Sequence, residues 1–218
     1  MNRVQPAEAP PAIRRMLAVS RFRQFLPKQV IINQGRTAEH VFYMLKGSVA
    51  AETWDENGQR LVFHYITAGE FFGEMCLFED NLKRSANVVA RTACEVAMIE
   101  LETFRQLIKD DPELLMELSR QLANRVRKTT EKLSNLAFLD VTGRVARTLI
   151  DLAEDPEAIT HPDGKMIKIT REELGRLVNC SREMAGQVLH TLEEQRLIQL
   201  DGRKIIIHPV RLGGRPES

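Results

Sequence analysis

Near residue 100 the hydrophobic period of the chain changes, and that change decides what it can fold into. From about Gln29 to Ile99 the runs VIINQG, HVFYMLKGSVAAETW, RLVFHYITAGEFFG and SANVVARTACEVAMIE are rich in β-branched and aromatic residues, with glycine-containing breaks between them. That is the pattern of short antiparallel strands. Asn57-Gly58, inside DENGQ, predicts a hairpin turn because both residues tolerate positive φ. An antiparallel barrel or roll follows.

Beyond it the period becomes helical. LETFRQLIKD is a short amphipathic helix, and Pro112 suits the first turn of a second one running to about Phe138. At 1.5 Å per residue that helix is about 40 Å long. Leu122, Val126, Thr129, Leu133 and Leu136 recur at spacings of four and three, the seam of a coiled coil. The same stripe would also serve to pack on the chain's own roll. Arg125, Arg127, Lys128, Glu131 and Lys132 leave only a narrow apolar seam, which favours a parallel dimer helix. Thr129 interrupts the seam, and with Thr130 it puts two hydroxyls at the dimer axis.

A hinge is expected around Phe138, Asp140 and Gly143. RVARTLIDLAED then reads as a helix, THPDGK as a turn-rich loop, and TREELGRLV as a helix opened by the capping-box spacing of Thr170 and Glu173. VNCS makes a tight turn in which Asn179 can take the left-handed conformation. Ser181 caps the next helix, and LIQLDGRKIIIHP turns at Asp201-Gly202 as a hairpin. Two short helices, a tight turn and a β wing make a winged helix-turn-helix, with a plain helical packing module as the alternative.

In a helix-turn-helix the start of the second helix faces the major groove. Arg182 can donate twice to guanine, Glu183 can accept from cytosine, and Gln187, four residues on, can read adenine or reach a second purine. An arginine at the positive end of a helix is mildly unfavourable in isolation, which hints at an anionic partner. Thr170 and Arg171 are candidates for phosphate contacts. Bulk charge adds nothing, since residues 140–218 hold 12 basic against 13 acidic side chains, a net of −1.

GEMCLFEDNLKRSA, residues 73–86, carries a different chemistry. Glu74 can accept from hydroxyls, whereas Arg84 beside Ser85 suits an anionic oxygen such as phosphate. A sugar phosphate satisfies both, and a solvated surface loop is the alternative. Three well-separated cysteines without CxxC spacing, Cys76, Cys94 and Cys180, read as reduced core residues, and five scattered histidines argue against a metal site. No apolar run reaches the roughly 20 residues that span a bilayer, so no membrane partner and a cytoplasmic location are expected. A hydrolase using Glu74 as base would need metal ligands or a nucleophile-base pair, and the sequence offers neither beside it.

The stretches GEMCLFEDNLKRSA, KTTEKLSNLAFLDVTGR, THPDGK and ITREELGRLVNCSREMAGQVL resemble the CRP/FNR family of bacterial transcription regulators over roughly Phe25 to Ile207. The resemblance implies an α+β chain: residues 1–110 a cyclic-nucleotide-binding β-roll of double-stranded jelly-roll type, 111–139 a long dimerisation helix and hinge, and 140–218 a winged helix-turn-helix. It implies no cofactor, but an effector, cyclic AMP, with cyclic di-GMP as the alternative sensed by another branch and a ligand-independent regulator as a third form. Gly73 would admit the ligand, Glu74 would take the ribose hydroxyl, Arg84 and Ser85 the cyclic phosphate, and Thr129 and Thr130 the adenine, one of them across a homodimer. Arg182 and Glu183 would read bases of a pseudo-palindromic double-stranded DNA operator. Thr160 and His161 match one RNA polymerase contact surface, and Arg21 and Arg23 stand in a second. Gln187 stands where the family pattern has an arginine, His190 for a lysine, Cys76 for a glycine and Thr103 for a lysine. They put in doubt the inner operator base, the width of the pocket and the second polymerase contact.

Overall fold

The computed structural model describes residues 9–56, 60–78, 83–155 and 158–209. The expected turn at Asn57-Gly58 and the tail from Val210 onward lie outside them. The chain forms two compact units, divided between Thr129 and Thr130.

The first unit opens with α1 (Pro11–Ala18), followed by β1 (Arg21–Phe25), β2 (Val30–Ile32), β3 (His40–Lys46), β4 (Ser48–Trp54), β5 (Arg60–Thr67) and β6 (Phe71–Phe72). A single 3-10 turn at Met75–Leu77 leads on to β7 (Asn87–Ala90), β8 (Cys94–Glu100), α2 (Leu101–Asp110) and α3 (Pro112–Phe138). The strands make two four-stranded sheets, in the orders β1-β8-β3-β6 and β2-β7-β4-β5, with antiparallel pairing.

Successive strand residues face opposite sides, and β3 uses both. Phe42 and Met44 join Ile32, Val49, Ile66, Phe72 and Val88 in the core between the sheets. Val41, Tyr43 and Leu45 turn outward to pack with Ile13, Met16, Phe104, Leu114 and Leu118 of the three helices. This two-sided burial explains why HVFYML is continuously apolar instead of alternating. It also fixes the start of α3 on the roll, where Leu114 and Leu118 are fully buried.

Beyond that start α3 is increasingly exposed. Val126 and Leu133 are 67% and 66% exposed, and Phe138 is 85% exposed. Within one chain Leu122 still packs against the core, whereas the seam from Val126 onward is a largely uncovered apolar stripe.

In the second unit α4 (Val141–Glu154), β9 (Ile159–His161), β10 (Gly164–Lys168), α5 (Arg171–Val178), α6 (Arg182–Glu194), β11 (Ile198–Asp201) and β12 (Lys204–Ile207) pack around Val145, Leu149, Leu174, Leu189 and Ile205. The helix starts are those the sequence dictates. Asp140 accepts from Gly143 N at 2.7 Å, Thr170 from Glu173 N at 3.1 Å and Ser181 from Met184 N at 3.1 Å. Asn179 takes the left-handed turn, φ 55° and ψ 60°.

Gly175 makes the α5–α6 turn possible, because a Cβ there would stand 2.7 Å from the Cys180 carbonyl oxygen. Gly175→Ala is expected to cost about 1–2 kcal/mol, the range of a small overpacking strain, read as a lower unfolding midpoint of this unit by circular dichroism. An unchanged midpoint would show that the turn yields.

Some local expectations are corrected. THPDGK, read as a loop, is the β9–β10 hairpin, with Gly164 paired to His161. β1 lies ahead of the expected strand start at Gln29, and α1 was not expected. The cysteines are free, with Cys76 and Cys94 buried, but Cys180 is only partly so.

Candidate functional site

The first unit holds a pocket that encloses about 590 Å³ of empty space, counting its open mouth. Its polar end is built by the turn after β6, the segment before β7, and α3.

Gly73 has φ +71°, and a Cβ on it would stand 2.7 Å from Arg84 Nη1. Only glycine leaves room for the guanidinium, which donates from Nη1 to Gly73 O at 2.7 Å and from Nη2 to His40 O at 2.6 Å. The guanidinium carbon also lies 5.7 Å from the centre of the Phe42 ring. Burial lowers the Arg84 pKa from its ordinary value, opposed by Cys76, Glu74 and Glu39. The cation is thus oriented before any ligand arrives. Ser85 is exposed next to it, its hydroxyl 3.3 Å from Met75 Sδ.

Glu74 is buried, and its Oε1 accepts from Arg125 Nη1 at 2.7 Å. Arg125 also donates to Phe71 O, while its buried Nε has no hydrogen-bond partner among the described residues. Gln121, one turn earlier, accepts from Phe71 N at 2.9 Å and donates to Gly69 O at 3.0 Å. α3 is therefore pinned to the pocket at two successive turns. Cys76 Sγ is 3.3 Å from Gly73 O, and burial raises its thiol pKa, with Arg84 opposing.

Gly73, Glu74, Arg84 and Ser85 thus border one cavity. Thr129 and Thr130 do not, because both are exposed on α3 and neither lines the pocket in a single chain. Arg125 was missed as a site residue and read as a charged flank of the seam. The available signal was its spacing: it lies four residues before Thr129, on the same helical face.

In the second unit Arg182, Glu183 and Gln187 are exposed on one side of α6, while Ala185, Val188, Leu189 and Leu192 bury the other. Arg171 is exposed beside the Thr170 cap. His190, on the same helix, lies 3.4 Å from a Glu194 carboxylate oxygen. Thr160 and His161 sit on β9, where Thr160 Oγ1 accepts from Lys165 Nζ at 3.3 Å and His161 Nδ1 accepts from Asp163 N at 3.2 Å. Arg21 and Arg23 lie on the edge strand β1, Arg21 3.7 Å from Glu100 and Arg23 5.0 Å from the centre of the Phe25 ring. Phe138 ends α3, and Asp140 caps α4 after a two-residue break. Among the described residues no group of three His, Cys, Asp or Glu side chains is placed to hold a metal ion. No helix among them is long and apolar enough to cross a membrane.

A pocket with a preset cation, a long helix and a winged helix-turn-helix define a ligand-responsive DNA-binding transcription regulator. Residues 22–111 match the model of the cyclic nucleotide-binding domain, and residues 143–212 that of the Crp-like helix-turn-helix domain. The chain is 48% identical over 201 residues to the cAMP-activated global transcriptional regulator CRP of Salmonella typhimurium, covering 92% of this chain and 96% of that protein. It is also 48% identical over 200 residues to the cAMP-activated global transcriptional regulator Vfr of Pseudomonas aeruginosa, covering 90% and 94%. Among solved structures, the c-di-GMP responsive global regulator CLP of Xanthomonas campestris is 39% identical with a TM-score of 0.84, over 91% of this chain and 99% of that one. The chain belongs to the CRP/FNR family of transcription regulators, a family of DNA-binding proteins and not of enzymes.

Proposed function

We propose that the chain is a homodimeric transcription regulator switched by cyclic AMP. The observation that carries this reading is the convergence of Arg84 and Ser85 with the buried Glu74–Arg125 pair around a single pocket. The cyclic phosphate would meet Arg84 and Ser85, with Gly73 leaving room for it, and the ribose hydroxyl would meet Glu74. Thr129 of one copy and Thr130 of the other would meet the adenine, supported by the exposed stripe of α3 on which they lie. A ligand shifts an equilibrium only by binding two states differently. Its contact with Glu74 competes with Arg125, and Arg125 belongs to the dimer helix. The change would pass along α3 to the hinge at Phe138 and Asp140.

Arg182, Glu183 and Gln187 would read bases while Thr170 and Arg171 hold phosphates. The two recognition helices would stand about 34 Å apart, the general spacing of dimeric helix-turn-helix regulators, this family included. Thr160 and His161 on β9, and Arg21 and Arg23 on β1, would face RNA polymerase. A second reading, cyclic di-GMP as effector, is favoured by the likeness to CLP.

Titration calorimetry with cyclic AMP and cyclic di-GMP, followed by gel shift on a TGTGA-type palindrome with each, tests both readings. Saturation by cyclic AMP below millimolar concentration, together with DNA binding that depends on it, supports the first. Saturation by cyclic di-GMP alone replaces it with the second. Full DNA binding without any ligand makes the pocket idle.

Arg182→Ala is expected to cost about 1–3 kcal/mol of operator binding and to relax preference at one base pair. Arg171→Ala should instead weaken all sequences alike. Binding measured on a panel of single-base operator variants separates the two, and equal loss on every sequence for Arg182→Ala would contradict base reading.

A further inference from the structure

Met184 is an apolar side chain left 44% exposed on α6, the helix whose Ala185, Val188, Leu189 and Leu192 are buried. The helix cap holds it in place, because its backbone N donates to Ser181 Oγ at 3.1 Å. A helical Cα–Cβ bond tilts towards the helix N-terminus, so the thioether leans over the first turn, the end that a helix-turn-helix presents to bases. Gln187 is exposed three residues further on, and side chains at that spacing are surface neighbours, about 5–6 Å apart at Cβ. Thr191 follows at a spacing of four, exposed, its hydroxyl donating back to the Gln187 carbonyl at 3.2 Å. The three make an uncharged stripe on a helix whose other exposed side chains include Arg182, Glu183 and Glu194.

The chemistry of that stripe selects a base pair. A primary amide sets one acceptor oxygen beside one donor NH₂. Adenine offers the complementary pair, a donor at N6 and an acceptor at N7, whereas guanine offers two acceptors, one of which would face the amide oxygen. The amide of Gln187 is therefore complementary to adenine. The partner of adenine is thymine, which shows the one methyl group of the major groove. An exposed thioether beside an adenine reader has that methyl to pack on, and its three rotatable bonds let it follow the groove.

We infer that Met184 and Gln187 together read an A·T step in each half-site, Gln187 through adenine N6 and N7, and Met184 by packing on a thymine C5 methyl at the same step. This rests on the base-reading role given to α6 above. It adds a contact residue, Met184, and names the base that Gln187 selects. The thymine contact has a signature that neither a phosphate contact nor a packing role shares, since uracil pairs as thymine does but lacks the methyl.

For the test, full-length protein selects its operator from random palindromic double-stranded DNA, with and without cyclic AMP, and the condition that binds more tightly is kept. Each thymine of one half-site is then replaced in turn by uracil. Fluorescence anisotropy gives Kd for wild type, Met184→Ala and Met184→Leu, with the unfolding midpoint of each variant as a folding control. A methyl withdrawn from an apolar contact changes Kd about fourfold. Wild type should show that loss at one thymine, and Met184→Leu should keep it. Met184→Ala should bind the thymine and uracil operators within about 1.5-fold of each other. Gln187→Arg presents two donors, so repeating the selection with it should turn A·T into G·C at that step. A selected half-site without an A·T pair, no uracil effect in wild type, an unchanged uracil effect in Met184→Ala, or a retained A·T preference in Gln187→Arg overturns the inference. If Arg182→Ala still relaxes one base pair in that case, the base-reading role of α6 stands. If wild type enriches no sequence, both fall.

Discussion

Arg84→Ala is expected to raise the Kd for cyclic AMP by about 100-fold while leaving the roll folded. The guanidinium is already fixed by two carbonyl oxygens, at 2.7 Å and 2.6 Å, and lies over Phe42, so a ligand anion meets a cation that needs no ordering. Hydrogen bonds to charged groups contribute about 1.5–3 kcal/mol each. Losing one such contact with the counter-charge beneath it gives close to 3 kcal/mol, or about 100-fold.

The two carbonyls lose their partner as well, but Gly73 borders the open pocket where water can replace it, so stability should fall less than affinity. Arg84→Lys separates charge from geometry. An ammonium keeps the charge but cannot hold both carbonyls and still present a fork to the phosphate, so a loss of about tenfold is expected. Calorimetric titration of both variants measures these values, and a Kd for Arg84→Ala within threefold of wild type would remove Arg84 from the site.

The features that local sequence dictates were readable before the structure. The change of period placed the roll and the long helix, and Thr170, Asn179 and Ser181 marked the helix-turn-helix because capping and left-handed turns depend on a few adjacent residues. Glu74, Arg84 and Ser85 were readable as chemistry because they lie within one short segment.

What escaped depends on long-range pairing. Arg125 meets Glu74 across 51 positions, and its spacing four residues before Thr129 was the one local sign that set it apart from the other charges of the seam. Phe63 and His64 both border the pocket, a placement that arises from a register shift between β4 and β5 and that neither strand encodes alone. The β9–β10 hairpin was hidden because Pro162, Asp163 and Gly164 dominate the text while β9 is only three residues long. Thr129 and Thr130 do not line the pocket in one chain, so the role proposed for them depends on a second copy.

Arg125→Met should destabilise the first unit by about 3 kcal/mol, because it strands a carboxylate in the pocket wall. The Glu74 side chain is 5% exposed and that of Arg125 14%. Removing one partner of such a pair costs roughly 3–5 kcal/mol, whereas replacing both by groups of similar volume is often nearly neutral. The pocket opens to solvent, which favours the lower end of that range. The double variant Glu74→Gln with Arg125→Met should therefore recover more than half of the loss, and the coupling between the two positions is the quantity to measure.

Trp54, the single tryptophan, lies in β4 of the same unit, so its fluorescence in urea follows this unit within the full chain. A Glu74–Arg125 coupling below about 0.5 kcal/mol, the ordinary error of additivity, would show that the pair is incidental. If the coupling is present, the pair is both a support of the roll and the link a ligand must loosen. Cyclic AMP binding that survives in the double variant, but no longer promotes DNA binding, is the expected consequence. It would place the transmission of the signal on the turn of α3 that carries Arg125.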